Sequence, residues 1–322
     1  MKLDSGPELT LDDARKFIRR AVAKAEDLGA RGAFVVVNSG GVPISASRMD
    51  NAGAFGIPVS RAKAFIAGAG HETSATFAGR QAGNFLGIFL SYQQLARDRI
   101  FPGPGAFLIR ANGNVIGAIS TGAGIGPFVK WPGLSDPTKL VVDGKPANLE
   151  DLVISYALNE PYQPQHGDDA KRWIDAYGSL PSVTGTGLAE APAAHKQAVL
   201  GTAQALSDAA MAEAKRSQTP VAVAVVDRNG DVIQIDRMDG AAPMSPDVAE
   251  AVAVTAVNFQ APSERAAQPQ FAQIVDAAPF KFLPLAGGLP IKDGARVVGA
   301  IGVAGGDPEA CAAIAAKAIA AL

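Results

Sequence analysis

"ARVVGAIGVAGG", residues 295–306, has a close echo in "GNVIGAISTGAG", residues 113–124. The two share a valine, a central Gly-Ala-Ile and a final glycine. A second pair extends the match: "AFVVVNSGGVPISASRMD" ends at Asp50 and "VAVAVVDRNGDVIQIDRMD" ends at Asp239. Arg48-Met49-Asp50 and Arg237-Met238-Asp239 lie 189 positions apart, whereas Gly117 and Gly299 lie 182 apart. Two motifs that recur in one order, with a seven-residue difference in spacing, describe a duplicated unit whose first copy has the longer middle.

Each copy reads in the same element order. Thr10 is suited to cap a helix, with Asp12 and Asp13 in its first turn where the helix dipole favours negative charge. Ala14, Phe17, Ile18, Ala21, Val22, Ala25 and Leu28 follow helical spacing, and Gly29 supplies the stop. The second copy offers Val199, Ala203, Leu206, Ala210 and Met211 on one face. A hairpin follows: Val221–Val226, an Asn229-Gly230 turn and a return strand Val232–Ile235, with Gly40-Gly41 at the same place in the first copy. An alanine-rich helical region comes after each Arg-Met-Asp. Late strands are expected at 107–110 and 115–120, and at 289–291 and 296–303. Asp307-Pro308-Glu309 starts a closing helix whose apolar face carries Cys311, Ile314, Ala315, Ala318, Ile319 and Leu322. The first copy has no immediate counterpart, and residues 148–158 supply one late. Grouped antiparallel strands with helices packed on them give an α+β class rather than a parallel dinucleotide-binding sheet. The expected organisation is a first domain at 1–125, an ordered connector at 126–192 and a second domain at 193–322. The connector holds Trp131, Tyr156, Tyr162, Trp173 and Tyr177, residues that free linkers seldom carry.

Composition narrows the function classes. The chain has 322 residues, 48% hydrophobic and 19% charged, with a net charge of −2, so it lacks the basic field that nucleic acid requires. Cys311 is the only cysteine, which excludes an intramolecular disulfide and a cysteine metal cluster. No signal-peptide run opens the sequence and no apolar stretch reaches the length of a membrane helix. The expectation is a cytoplasmic protein, with a trimmed leader left open.

"VAVVDRNGDVIQIDRMDGAAPMS" followed by "GGLPIKDGARVVGAIGVAGGDPEACAAIA" closely resembles the GlcG/HbpS haem-binding (haem-degrading) domain family. The second copy matches over most of its length. The first matches through "VVVNSGGVPISASRMD" and "SRAKAFIAGAG" and then departs: Gly287-Gly288-Leu289-Pro290-Ile291 of the second copy gives way to "FPGPGAFLI". The resemblance implies two profilin-like domains, each a five-stranded antiparallel sheet flanked by helices. It also implies assembly through paired domains, which a tandem chain can build internally, and homo-oligomers.

Candidate site residues follow from chemistry and from differences between the copies. Haem iron is usually held by histidine, and the chain has His71, His166 and His195. His71 has the best claim: it sits among small residues, and the second copy has no histidine there. His71 and Glu72 are therefore the catalytic candidates. Arg48, Arg80, Tyr92 and His166 are candidates for ligand binding, together with Gly287, Gly288 and Pro290 where the family pattern is best kept. For Arg48 the competing reading is a corner fixed with Asp50, as Arg237 is with Asp239, and the recurrence favours it. Lys63 also occurs in the first copy alone. No metal-binding motif is present. Three functions remain open: a binding protein for haem or another hydrophobic small molecule; a cofactor-independent enzyme on a small carboxylate or aromatic, with a histidine base; and a structural module without chemistry.

Overall fold

The computed structural model describes residues 8–81, 100–101, 103–122, 141–143, 145–165, 198–277 and 281–322. It is an α+β protein in which helices pack on antiparallel strands. The chain divides into two compact units: residues 1–42 with 48–196, and residues 43–47 with 197–322.

In the first unit, α1 (Leu11–Asp27) is capped by Thr10, whose hydroxyl accepts from the Asp13 amide at 3.2 Å. Gly29 then turns the chain with φ +70°. Strand β1 (Ala33–Asn38) pairs with β4 (Asn114–Gly122), which pairs with β3 (Ala106–Ala111). Between them in sequence come β2 (Pro43–Arg48), which belongs with the second unit but for its last residue, α2 (Gly56–Gly70) and α3 (Ser74–Gln81). A two-strand ribbon, β5 (Val141–Val142) and β6 (Lys145–Pro146), leads to α4 (Leu149–Leu158). Helix α4 is capped by Asn148 and packs on α1, so the first copy acquires its closing helix late in the sequence. Helix α2 packs across β1, β3 and β4.

In the second unit, α5 (Ala198–Arg216) precedes β7 (Ala222–Asp227) and β8 (Val232–Arg237). Helix α6 (Ser245–Phe259) follows, then two short 3₁₀ turns, α7 (Ala272–Ala277), β9 (Gly288–Asp293), β10 (Arg296–Ala304) and α8 (Pro308–Ala320). The strand order is β2-β8-β7-β10-β9. Helix α6 packs across β7–β10, while α5 packs on β7, β8 and α8. Cys311, Ile314, Ala315 and Ala318 of α8 are buried, but Leu322 lies beyond the helix and is exposed.

Two features differ from the sequence expectation. Each copy contributes four strands among the described residues, not the five that the resemblance implies. Residues 43–47 also belong with the second unit, because β2 pairs with β8 in the register Ser45–Asp236, Ala46–Ile235, Ser47–Gln234. Side chains fix that register. Asp236, fully buried, accepts from Ser45 Oγ at 2.8 Å, Ser207 Oγ at 2.7 Å and Gln234 Nε2 at 2.7 Å, while Ser47 Oγ donates to Gln234 Oε1 at 2.6 Å. A buried carboxylate is tolerable only when so satisfied. Most of the connector, including Trp131, Trp173 and Tyr177, lies outside the described residues.

The Gly-Ala-Ile strands sit under the helices that follow Arg-Met-Asp. A Cβ on Gly302 would lie 2.0 Å from the Ala249 carbonyl oxygen of α6. At the matching places in the first copy, Ser120 and Ser60 each donate a hydroxyl to the other's carbonyl, at 2.8 and 2.9 Å. Gly302→Ala therefore forces α6 off the sheet and should cost about 1–3 kcal/mol of the second unit's stability, measured by urea denaturation. An unchanged midpoint would show that the helix has room to spare.

Candidate functional site

Arg-Met-Asp forms a corner in both copies. Arg48 Nη1 donates to the Ala52 carbonyl at 3.3 Å, and Arg237 Nη1 donates to the Ala241 carbonyl at 2.9 Å. The recurrence of one bond at one spacing marks these arginines as fasteners of the strand-to-helix turn. His71 ends α2 in the left-handed region, φ +55°, as Gln260 ends α6 at φ +50°. The histidine is exposed, and its Nε2 donates to the Ser39 carbonyl at 3.3 Å. Glu72 follows it outside the helix. Arg80 lies on α3, its side chain outside the described residues, as are Tyr92, His166 and His195. Among the described residues no cluster of histidine, cysteine and carboxylates is arranged to hold a metal ion.

Gly287 and Gly288 act through their backbones. Gly287 has φ +129°, and a Cβ on Gly288 would meet the Val252 carbonyl of α6 at 2.1 Å. The Gly288 amide donates to Ser263 Oγ at 2.9 Å. "FPGPGAFLI" keeps this arrangement in the first copy despite its different sequence. Gly105 has φ +111°, and the Ala106 amide donates to Ser74 Oγ at 3.0 Å. Pro290 lies on β9 opposite Ala300.

Around Gly105 the first unit carries a buried polar hub that the sequence did not connect. Lys63 of α2 and Glu150 of α4 pair at 3.3 Å with side chains 7% and 5% exposed, and Lys63 Nζ also donates to the Thr121 carbonyl at 3.3 Å. Next to it, Asp151 accepts from the Gln165 amide at 2.7 Å, and Gln165 in turn bonds the Gly105 amide and the Ala106 carbonyl. These contacts strap residues 159–165 across the start of β3. Tyr162 completes the strap by accepting from the Asn148 amide at 2.9 Å, and burial pushes its phenol up to about 12. The second copy has Val252 in the place of Lys63, so this hub belongs to one copy alone.

The second unit has an apolar groove of about 340 Å³. Val199, Thr202 and Leu206 of α5 form one wall. Val225 and Val226 of β7, Ile233 of β8, Ile291 of β9, and Val298 and Gly299 of β10 form the floor. Two β-bulges fall there, at Val225/Val226 and Val297/Gly299. Bulges re-aim side chains, and Val298 is left 39% exposed. Its volume lies in the range of small-molecule sites, roughly 300–1,000 Å³. Of the described candidates named from sequence, none is among its described lining residues. An alignment of the copies at the two spacings points to it, because Leu9 and Thr10 of the first copy correspond in sequence to Ala198 and Val199 of the second.

Two outcomes test the hub. Glu150→Ala leaves the Lys63 ammonium buried without its partner and should cost about 3–5 kcal/mol, whereas the double variant Lys63→Met/Glu150→Leu should cost less than the two single changes together; denaturant unfolding measures both. Tyr162 has a folded-state pKa above its unfolded value near 10, so the fold favours the neutral phenol. Its contribution is full below about pH 10 and is lost as the pH rises through about 12. Tyr162→Phe should flatten the fall in stability across that window.

The model of a haem-degrading, HbpS-like family matches residues 9–126 and again 200–320. No curated protein matches the chain. Among solved structures, a double mutant of Streptomyces reticuli HbpS is 35% identical, covering 42% of this chain and 99% of its own, with a TM-score of 0.37. PduOC in complex with haem is 28% identical over 38% of this chain and 92% of its own, TM-score 0.36. The Klebsiella pneumoniae protein ORFY is 27% identical over 42% and 99%, TM-score 0.37.

Proposed function

Because this chain belongs to the HbpS-like family of haem-degrading proteins, through both of its copies, we propose that it binds a hydrophobic small molecule, haem being the class that the family suggests. We read each copy as a variant of a profilin-like module. The observation that carries the reading is the groove beside α5. It offers apolar side chains on two sides and one hydroxyl, Thr202 Oγ1, which is already spent on the Ala198 carbonyl at 3.0 Å. Such a cleft gains free energy from an apolar ligand at about 25 cal/mol per Å² of surface removed from water.

Haem makes three demands: an apolar slot, an iron ligand, and cations or water for its carboxylates. The groove meets the first. Among the described residues lining it, none is an iron-ligating or cationic side chain. The groove offers the macrocycle an apolar surface, and its described lining offers the iron no partner, so no step through iron is derived.

The test is a titration with haem and, separately, with metal-free protoporphyrin IX, followed by absorbance. Both should bind saturably, with affinities within about a factor of ten of each other, since a missing iron–ligand bond leaves little to separate them. Absence of saturable uptake of either compound overturns the reading. Haem binding that far exceeds that of the free porphyrin would instead require an iron ligand outside the groove.

A further inference from the structure

We infer that the groove of the second copy is a binding site for one uncharged, hydrocarbon-rich molecule per chain, and that the first copy lacks the site because its own Leu9 fills it. The inference rests on the hydrophobic-ligand reading above and specifies the ligand's chemistry and the number of sites.

The two copies supply the comparison. Helix ends align at the 189-residue spacing: Gly29 and Gln218 both have positive φ, and the bonds Ala30 N to Ala25 O and Thr219 N to Ala214 O recur. That spacing places Leu9 opposite Ala198, Thr10 opposite Val199 and Asp13 opposite Thr202. Gly117 stands opposite Gly299.

In the first copy, Thr10 and Asp13 form a reciprocal cap. The Thr10 hydroxyl accepts from the Asp13 amide and donates to Asp13 Oδ2 at 2.7 Å. The helix stops there, as a capping residue requires. The chain beyond the cap brings Leu9 down on the strand. Leu9 is 6% exposed, and its Cδ2 lies 2.9 Å from where a Cβ on Gly117 would stand. In the second copy, valine at the capping position has no oxygen with which to cap. Helix α5 already includes Ala198 and Val199. Among the described residues, the atoms nearest a Cβ on Gly299 belong to the backbone of Val226 and Asp227, and no side chain takes Leu9's place among them. The space that one copy fills with an isobutyl group is the groove of the other.

That internal template states the ligand chemistry. Leu9 presents branched hydrocarbon, and the described residues lining the groove include no charged side chain. A charged group placed there would lose its hydration without a partner. The geometry points to a neutral, hydrocarbon-rich ligand.

Nile red, a neutral fluorophore, is the probe, with haem as its competitor. The intact chain should bind one Nile red with a saturable rise in fluorescence. Thr202→Trp, at an exposed position on the groove wall, should weaken binding at least tenfold; Val298→Asp, which sets a charge at the mouth, should do the same. Unchanged melting curves establish that the variants fold, and Val298→Asp carries the test if the tryptophan variant does not. Two equivalent sites per chain, or unchanged binding in a folded variant, overturn this assignment while haem uptake leaves the broader reading standing. Failure to bind either Nile red or haem overturns both.

Discussion

In each copy a helix sits directly on the strand beneath it, and this contact sets the rest of the sheet. Ala249 and Gly302 in the second copy meet backbone to backbone, with no space for even a methyl group. The first copy meets the same requirement with two serines that exchange hydrogen bonds. One solution removes the side chain; the other turns it into a fastener. Once α6 is seated this low, β9 must come under it as well, and Gly288 answers the Val252 carbonyl as Gly302 answers Ala249. Gly117 and Gly299, the glycines of the shared Gly-Ala-Ile, recur for a neighbouring reason: a Cβ there would meet the Val37 or Val226 carbonyl oxygen of the adjacent strand at 2.3 and 2.5 Å, which is a matter of fold rather than of chemistry.

With that frame held in common, the copies have gone separate ways in the places it does not constrain. Beneath α2 the first copy has installed Lys63, Glu150, Asp151 and the Gln165 strap. The second copy keeps Val252 and, near Gly287, Cys311, whose thiol burial pushes up. On the side of the first helix, the divergence runs the other way. The first copy is capped by Thr10 and filled by Leu9, while among the described residues of the second Val199 takes the capping place and a groove lies beside it. Polar satisfaction in one copy and apolar vacancy in the other are what a duplicated pair can reach when each copy relieves the other of a duty.

The sequence is legible where local physics decides. The Thr10 cap, the stop at Gly29, the Asn229-Gly230 hairpin, the late helix after Asn148 and the start at Asp307 each depend on a few neighbouring residues. So does the corner formed by Arg48 and Arg237. What could not be read depends on partners far along the chain. Lys63 meets Glu150 across 87 positions, and Ser45 meets Asp236 across 191. The five-stranded expectation for each copy came from resemblance; each copy shows four strands among the described residues, and the second unit reaches five only with β2 of the first copy. His71 stands at a helix end that Gln260 shares in the second copy. The groove is made of common aliphatic residues, which carry no signature individually; only their alignment with the other copy reveals the missing leucine.

The membership of β2 in the second unit has a consequence for how the chain is made. A strand at 43–47 emerges from the ribosome long before its partner at 234–236. At roughly 5–20 residues per second, the separation of 191 positions leaves that edge waiting on the order of ten to forty seconds. A waiting edge is a template for the wrong neighbour. Ser45 and Ser47, which later close on Asp236 and Gln234, keep two of its side chains polar during the wait. The residues that fix the register of the finished sheet thus also temper the nascent one.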